Sequence, residues 1–287
     1  MAQPQPLPGN GQPRAPAILQ EITQSLQLPW TPHSFIDLND EVPGYVKHAW
    51  DQLSPIVRTA QFVDLAHEIE SSVDTAVRGA YRPGYGPGSL QQLGLSLGEA
   101  GEIRTAFSAL LFGWSQTILI VEALRLALDG QKVGMKSAVS WPREPVNWTQ
   151  AIIPTTDTNA MGEVARNVLA EARQSLGLSE PPEALLVIGS WPRYLRMAWD
   201  DLTAIVNGPT FTALRGELME QARQRCTRLP GHLDLSETQL RANNFNPIQI
   251  QRVREILDRW AFRLPTDMTL ATAFRYALLE NVSRTVF

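Results

Sequence analysis

Apolar residues recur at intervals of three and four along most of this chain, the spacing that gathers side chains on one side of an α-helix. From Pro43, the positions Tyr45, Val46, Ala49, Trp50, Leu53, Ile56 and Val57 form one such face. No series of Val/Ile/Thr-rich segments separated by hairpin turns interrupts the pattern, so the expected fold is all-α. Ser96 with Glu99 and Ser236 with Gln239 have the spacing of capping boxes, and Asn246-Pro247 has the form of a helix start. A further helix is expected from about Met161, with Val164, Val168 and Ala172 on its face. The uncharged run Ala106 to Val121 is 16 residues long. A lipid-spanning helix needs about 20, so the run reads as a buried central helix.

The pattern also repeats. Pro43 to Val57, PGYVKHAWDQLSPIV, matches Pro192 to Val206, PRYLRMAWDDLTAIV, at eight of fifteen positions and an offset close to 150. Phe62, Leu65 and Ile69 match Phe211, Leu214 and Leu218; Ile103, Phe107 and Phe112 match Val253, Leu257 and Phe262; Ala123 to Leu128 matches Ala273 to Leu278. Four matches in one order predict an internally duplicated helical repeat, folded as an intramolecular pseudodimer. The expected boundaries are a flexible tail over 1–18, a first repeat over 19–136, a connector over 137–159 and a second repeat over 160–287. Gly79 to Gly88 and Leu229 to Asp234 are expected to be matching loops, as surface connections or as part of a pocket mouth.

Composition narrows the function. The 287 residues are 44% hydrophobic and 19% charged, as in folded globular proteins, and carry a formal charge of -4. That balance gives no basis for binding nucleic acid or an anionic membrane surface. The single Cys226 has no disulfide partner within the chain, and the start lacks a secretory pattern, so a reducing cytoplasmic location is expected. His33, His48, His67 and His232 form no metal-binding spacing, and each reads as structural or exposed. No phosphate-binding glycine loop and no GxSxG elbow is present, and neither a metal nor another cofactor is expected. Asp51 and Asp200, equivalent in the two repeats, read as exposed or Arg-paired residues. The tryptophans Trp30, Trp114 and Trp191 are not equivalent between the halves and suggest the lining of a pocket where the halves meet.

Several landmarks carry a resemblance: Leu28-Pro29-Trp30; Val42-Pro43-Gly44-Tyr45 with Ala49-Trp50; Gly101-Glu102-Ile103; Phe112-Gly113; and Ser190-Trp191-Pro192 followed by Leu195. In order and separation they resemble the group I, non-stereospecific 2-haloacid dehalogenases, also called the halocarboxylic acid dehydrogenase family. The resemblance runs from about Ser25 to Leu278. It implies an all-helical pseudodimer with its site between the repeats, and cofactor-independent hydrolysis. An aspartate activates water, which displaces halide from C2 with inversion to give a 2-hydroxy acid, without a covalent ester.

The resemblance places Trp30 on a pocket-lining position, Ala184 in the slot of the family aspartate and Trp114 in that of the asparagine that helps position water. Glu183 is the acid that serves if the loop is shifted by one residue; otherwise it is an exposed helix-start residue beside Pro181-Pro182. Three readings therefore stand: a hydrolase of carbon–halide bonds using Glu183, a non-catalytic small-carboxylate-binding protein, and a structural or interaction protein whose pocket Trp114 fills. The expected partner is a small carboxylate ligand, and a homodimer is the assembly considered.

Overall fold

In a computed structural model, residues 16–85, 87–135, 141–146, 158 and 160–279 are described, with side chains omitted at 87 and 88. Most of the expected tail, much of the connector and the last eight residues lie outside them. The described residues form helices and one isolated bridge, Thr59 with Pro142. The first half holds α1 (Ala17–Leu26), α2 (His33–Glu41), α3 (Tyr45–Val57), α4 (Ala60–Ala80), α5 (Pro87–Gln92) and α6 (Leu97–Leu128). The second holds α7 (Glu163–Leu176), α8 (Glu183–Val187), α9 (Pro192–Val206), α10 (Pro209–Cys226), α11 (Glu237–Ala242) and α12 (Pro247–Leu279). The expected all-α fold is present, with the halves packed on each other.

The two longest helices make the centre. Phe107, early in α6, stacks on Phe274, late in α12, at 5.7 Å, and Arg125, late in α6, pairs with Asp258, earlier in α12, at 2.8 Å. They therefore run antiparallel. Apolar residues surround α6 on all sides, as burial on every face requires. At 32 residues it is twice the length of the expected segment and long and apolar enough to cross a membrane, yet 89% of its most apolar window is buried inside the molecule. Fully buried Glu122 is held by Arg125 at 2.6 Å and by Arg223 of α10 at 3.0 Å, so the polar group that α6 takes into the core is paired.

Local signals fix the helix starts. Ser96 and Glu99 form the reciprocal capping box. Ser236 accepts from the Gln239 N–H, which is half of the expected box. Asn246 and Gln249 exchange both bonds at the start of α12, at 2.9 and 3.0 Å. On α7 the buried face is Ala165, Val168, Leu169, Ala172 and Leu176, and Val164 is 49% exposed. Val168 and Ala172 are thus on the buried face as expected, and Val164 falls outside it, because Ala165 and Leu169 complete the three-and-four spacing with Ala172 and Leu176.

Each of the two expected loops crosses to the other half. After α4, Tyr81 donates to Asp201 of α9, and the Gly84 N–H reaches the same carboxylate at 3.0 Å. After α10, Asp234 N–H donates to Gln52 of α3 at 2.8 Å, and Gln52 donates back to the Asp234 carbonyl at 3.1 Å. The described part of the connector is also tied down. Arg143 donates to the carbonyls of Ser25 (3.1 Å), Leu26 (3.2 Å) and Val57 (3.3 Å) and to Gln116 Oε1 (3.0 Å). These are the C-terminal carbonyls of α1 and α3, which the helices themselves leave unpaired. Burial brings the guanidinium down to about 10. Arg143→Ala should lower unfolding free energy by about 2 kcal/mol, read from urea denaturation; an unchanged midpoint would show that the clasp carries no stability.

Candidate functional site

The site grows from the start of α8. Pro181 and Pro182 fix extended backbone ahead of the helix, and Pro182 leaves no donor to satisfy at its first turn. The next N–H groups, of Ala184 at 3.0 Å and of Glu183, are taken by the carboxylate of Asp267 on α12. A one-turn helix has little stability of its own, so this cap from α12 sets its position. With the backbone held, the Glu183 side chain points between the halves and is only 12% exposed. The reading of Glu183 as an exposed helix-start residue is therefore corrected: the start of α8 is pressed against α6, α2 and α12.

Both Glu183 oxygens have partners. Oε2 accepts from the Trp114 indole N–H of α6 at 3.2 Å, and Oε1 meets Nδ1 of His33 on α2 at 2.6 Å. Burial opposes the charged carboxylate, but these two bonds and the nearby Arg263 overcome it and hold Glu183 below the usual carboxylate range. The same bond raises His33 above the ordinary histidine value. Asp267 has the opposite fate: burial, with Glu183⁻ beside it, lifts it to about 7 although Arg263 and the backbone bonds pull the other way. Arg263 is tied to Glu180 at 2.7 Å and to the Pro181 carbonyl at 2.9 Å, with its Nε 3.6 Å from Asp267. One ionised and one protonatable carboxyl, an imidazole and a guanidinium thus share one place.

The expected pocket residues divide. Trp114 is fully buried against Glu183, and the Trp30 ring lies on the adjacent Gly113, where a Cβ would stand 2.6 Å from Trp30 Cζ2. Ala184, expected in the slot of the family aspartate, is fully buried beneath the Asp267 cap and offers only its backbone. Trp191 lies elsewhere: its N–H bonds Glu99 at 2.9 Å, in the first turn of α6, 15 residues from Trp114. At helical rise that is about 22 Å along the axis. Open grooves of about 790 Å³ beside Tyr85 and Asp201, and of about 450 Å³ between α4, α6 and α12, have no Glu183-cluster residue in their walls.

Other candidates take the plainer role read from sequence. Asp51 pairs with Lys47, Asp200 with Arg196, and buried Cys226 has its thiol pushed up by burial. Among the described residues, no group of three His, Cys, Asp or Glu side chains is placed to hold a metal. His33, Asp267 and Arg263 were not singled out as site residues by sequence reasoning. A signal for His33 existed: it lies 150 residues from Glu183 and, like it, follows a proline.

The raised Asp267 pKa has a thermodynamic consequence. Its folded value lies above the unfolded one, so the folded state holds a proton that the unfolded state has lost, and stability falls as pH rises from about 4 to about 7. Asp267→Asn keeps an oxygen for the α8 N–H groups and removes this loss. Its stability relative to the parent should increase across that pH interval in urea titrations; a constant difference would contradict the buried, protonatable carboxyl.

No family model matches the chain. It is 26% identical to an (R)-2-haloacid dehalogenase of Rhizobium sp. (strain NHG3) over 192 residues, covering 66% of this chain and 74% of that protein. A second (R)-2-haloacid dehalogenase, from Pseudomonas putida, is 20% identical over 279 residues, covering 93% and 91%. The fold is that of D-2-haloacid dehalogenase. A mutant in complex with D-2-CPA superposes with a TM-score of 0.83 at 20% identity over 93% of this chain and 94% of the other, and the complex with L-LA with 0.84 at 20% over the same shares. The chain is thus similar over most of its length to two (R)-2-haloacid dehalogenases, and it shares the fold of D-2-haloacid dehalogenase.

Proposed function

We propose that this chain is a cofactor-independent hydrolase of small 2-halocarboxylic acids, with Glu183 as the base in place of the aspartate that Ala184 replaces. The observation that carries this reading is a buried Glu183 carboxyl one position from the family slot, at the meeting of the two halves and oriented by Trp114 and His33. Each of its oxygens carries one bond, which leaves each a lone pair for a water proton. In the reaction, Glu183 takes a proton from water and the water oxygen bonds to C2 opposite the halogen. The carbon–halogen bond breaks with its electron pair leaving on halide, and an inverted 2-hydroxy acid results.

The pseudodimer belongs to the same reading. It is supported by the shared order of long and short helices, by the crossed loop contacts to Gln52 and Asp201 at equivalent positions, and by the contact of His33 with Glu183 across 150 residues. A site on such an axis becomes asymmetric when its two equivalent residues differ, and here they are a base and an acid.

A second reading follows from Trp114, which is fully buried beside Glu183 in the slot of the family asparagine: a small-carboxylate-binding protein without turnover. Halide release from (R)- and (S)-2-chloropropionate separates the two. Release from both enantiomers is expected, as the non-stereospecific group implies; release from (R) alone would place the chain with the named relatives instead. Glu183→Gln should lower kcat at least about 100-fold, the contribution typical of a general base. Carboxylate binding with no release favours the second reading, and undiminished release in the Gln variant removes Glu183 from the mechanism.

A further inference from the structure

We propose that the imidazole of His33, held at Nδ1 by Glu183 and open at Nε2, receives the carboxylate of the site's anionic ligand. This rests on the reading of the site as one for small carboxylic acids. Such a ligand arrives with a negative charge, and Glu183 presents another. A cation with a free donor must stand beside them, since like charges in a poorly solvated site repel strongly.

The neighbouring guanidinium groups are committed. Arg263 is 9% exposed and bonded through its two terminal nitrogens to Glu180 and the Pro181 carbonyl; its buried Nε makes no hydrogen bond and stands 3.6 Å from Asp267. Arg259 is engaged by Asp37 and Glu41, each at 3.0 Å. His33 is different. Its side chain is 57% exposed, its Nε2 has no partner among the described residues, and its ring lies parallel to Trp260 at 6.5 Å.

The groups facing it come from three helices: Glu183 from α8, Asp37 from α2, and Arg263 and Trp260 from α12, with Asp37 itself held by the Trp260 N–H at 2.8 Å. Of these, the bond to Glu183 most strongly favours the imidazolium, which presents Nε2–H outward as a charge-assisted donor. One residue would thereby join the buried base to the ligand's fixed end, and its loss of a proton at alkaline pH would remove the cationic donor from that end while the Glu183 charge stays.

The test follows the His33 ring by proton–carbon NMR in the full-length protein during titration with propionate, an unreactive carboxylate. Propionate should move the His33 resonance, with a Kd at least tenfold weaker at pH 9 than at pH 6. His33→Phe, which keeps a flat ring over Trp260, should lose both the affinity and its pH dependence, with His33→Gln as a second variant should the first misfold. Absence of binding, binding that leaves the His33 resonance unmoved, or an affinity unchanged in both variants overturns the inference. Failure of the hydrolysis reading looks different: propionate binds through His33, yet 2-chloropropionate releases no halide. Conversely, halide release with KM unchanged in the His33 variants would overturn the His33 assignment and leave hydrolysis standing.

Discussion

A carboxylate taken out of water must find compensating donors, and around Glu183 that requirement organises the centre of this molecule. Its two oxygens reach α6 through Trp114 and α2 through His33, while Asp267 of α12 holds the short helix on which Glu183 stands. Four helices from both halves therefore converge on one side chain. The long antiparallel pair α6 and α12 supplies the rigid frame, and α2 and α8 bring the two polar ends to it. Removing the charge would weaken the bonds from Trp114 and His33 and leave the Asp267 cap in place.

The cluster is also unsymmetrical in a useful way. Trp114 and His33 favour the charged form of Glu183, whereas Asp267, with its Oδ2 unbonded, is pushed toward the neutral form. Two carboxyls in one dry place are thus driven to different protonation states, which is how a fold separates a base from an acid. Ala184 and Trp114 belong to the same arrangement. The Ala184 N–H donates to the Asp267 cap, and the indole at 114 provides the donor that the Glu183 side chain meets.

Much of the fold was legible because its signals are local. The Ser96–Glu99 box, the Asn246-Pro247 start and the apolar run within α6 act through neighbours in sequence, and each appears in the structure. The site was only partly legible. Glu183 and Trp114 were reachable through the family landmarks, but His33 meets Glu183 across 150 residues and Asp267 meets Ala184 across 83, and an isolated histidine or aspartate has no periodicity to reveal it. Trp191 shows the converse. Its landmark is clear in sequence, yet the helix axis carries it to Glu99, far from Trp114.

The central claim is that Glu183 is ionised where it is buried, and the side-chain carboxyl carbon of that residue reports it directly. Selective carbon-13 labelling of glutamate, with the Glu183 signal assigned by substitution, allows its chemical shift to be followed from acid to neutral pH. The account predicts a carboxylate at pH 7, with a titration midpoint below the usual glutamate range. A Glu183 that keeps its proton through neutrality would contradict it.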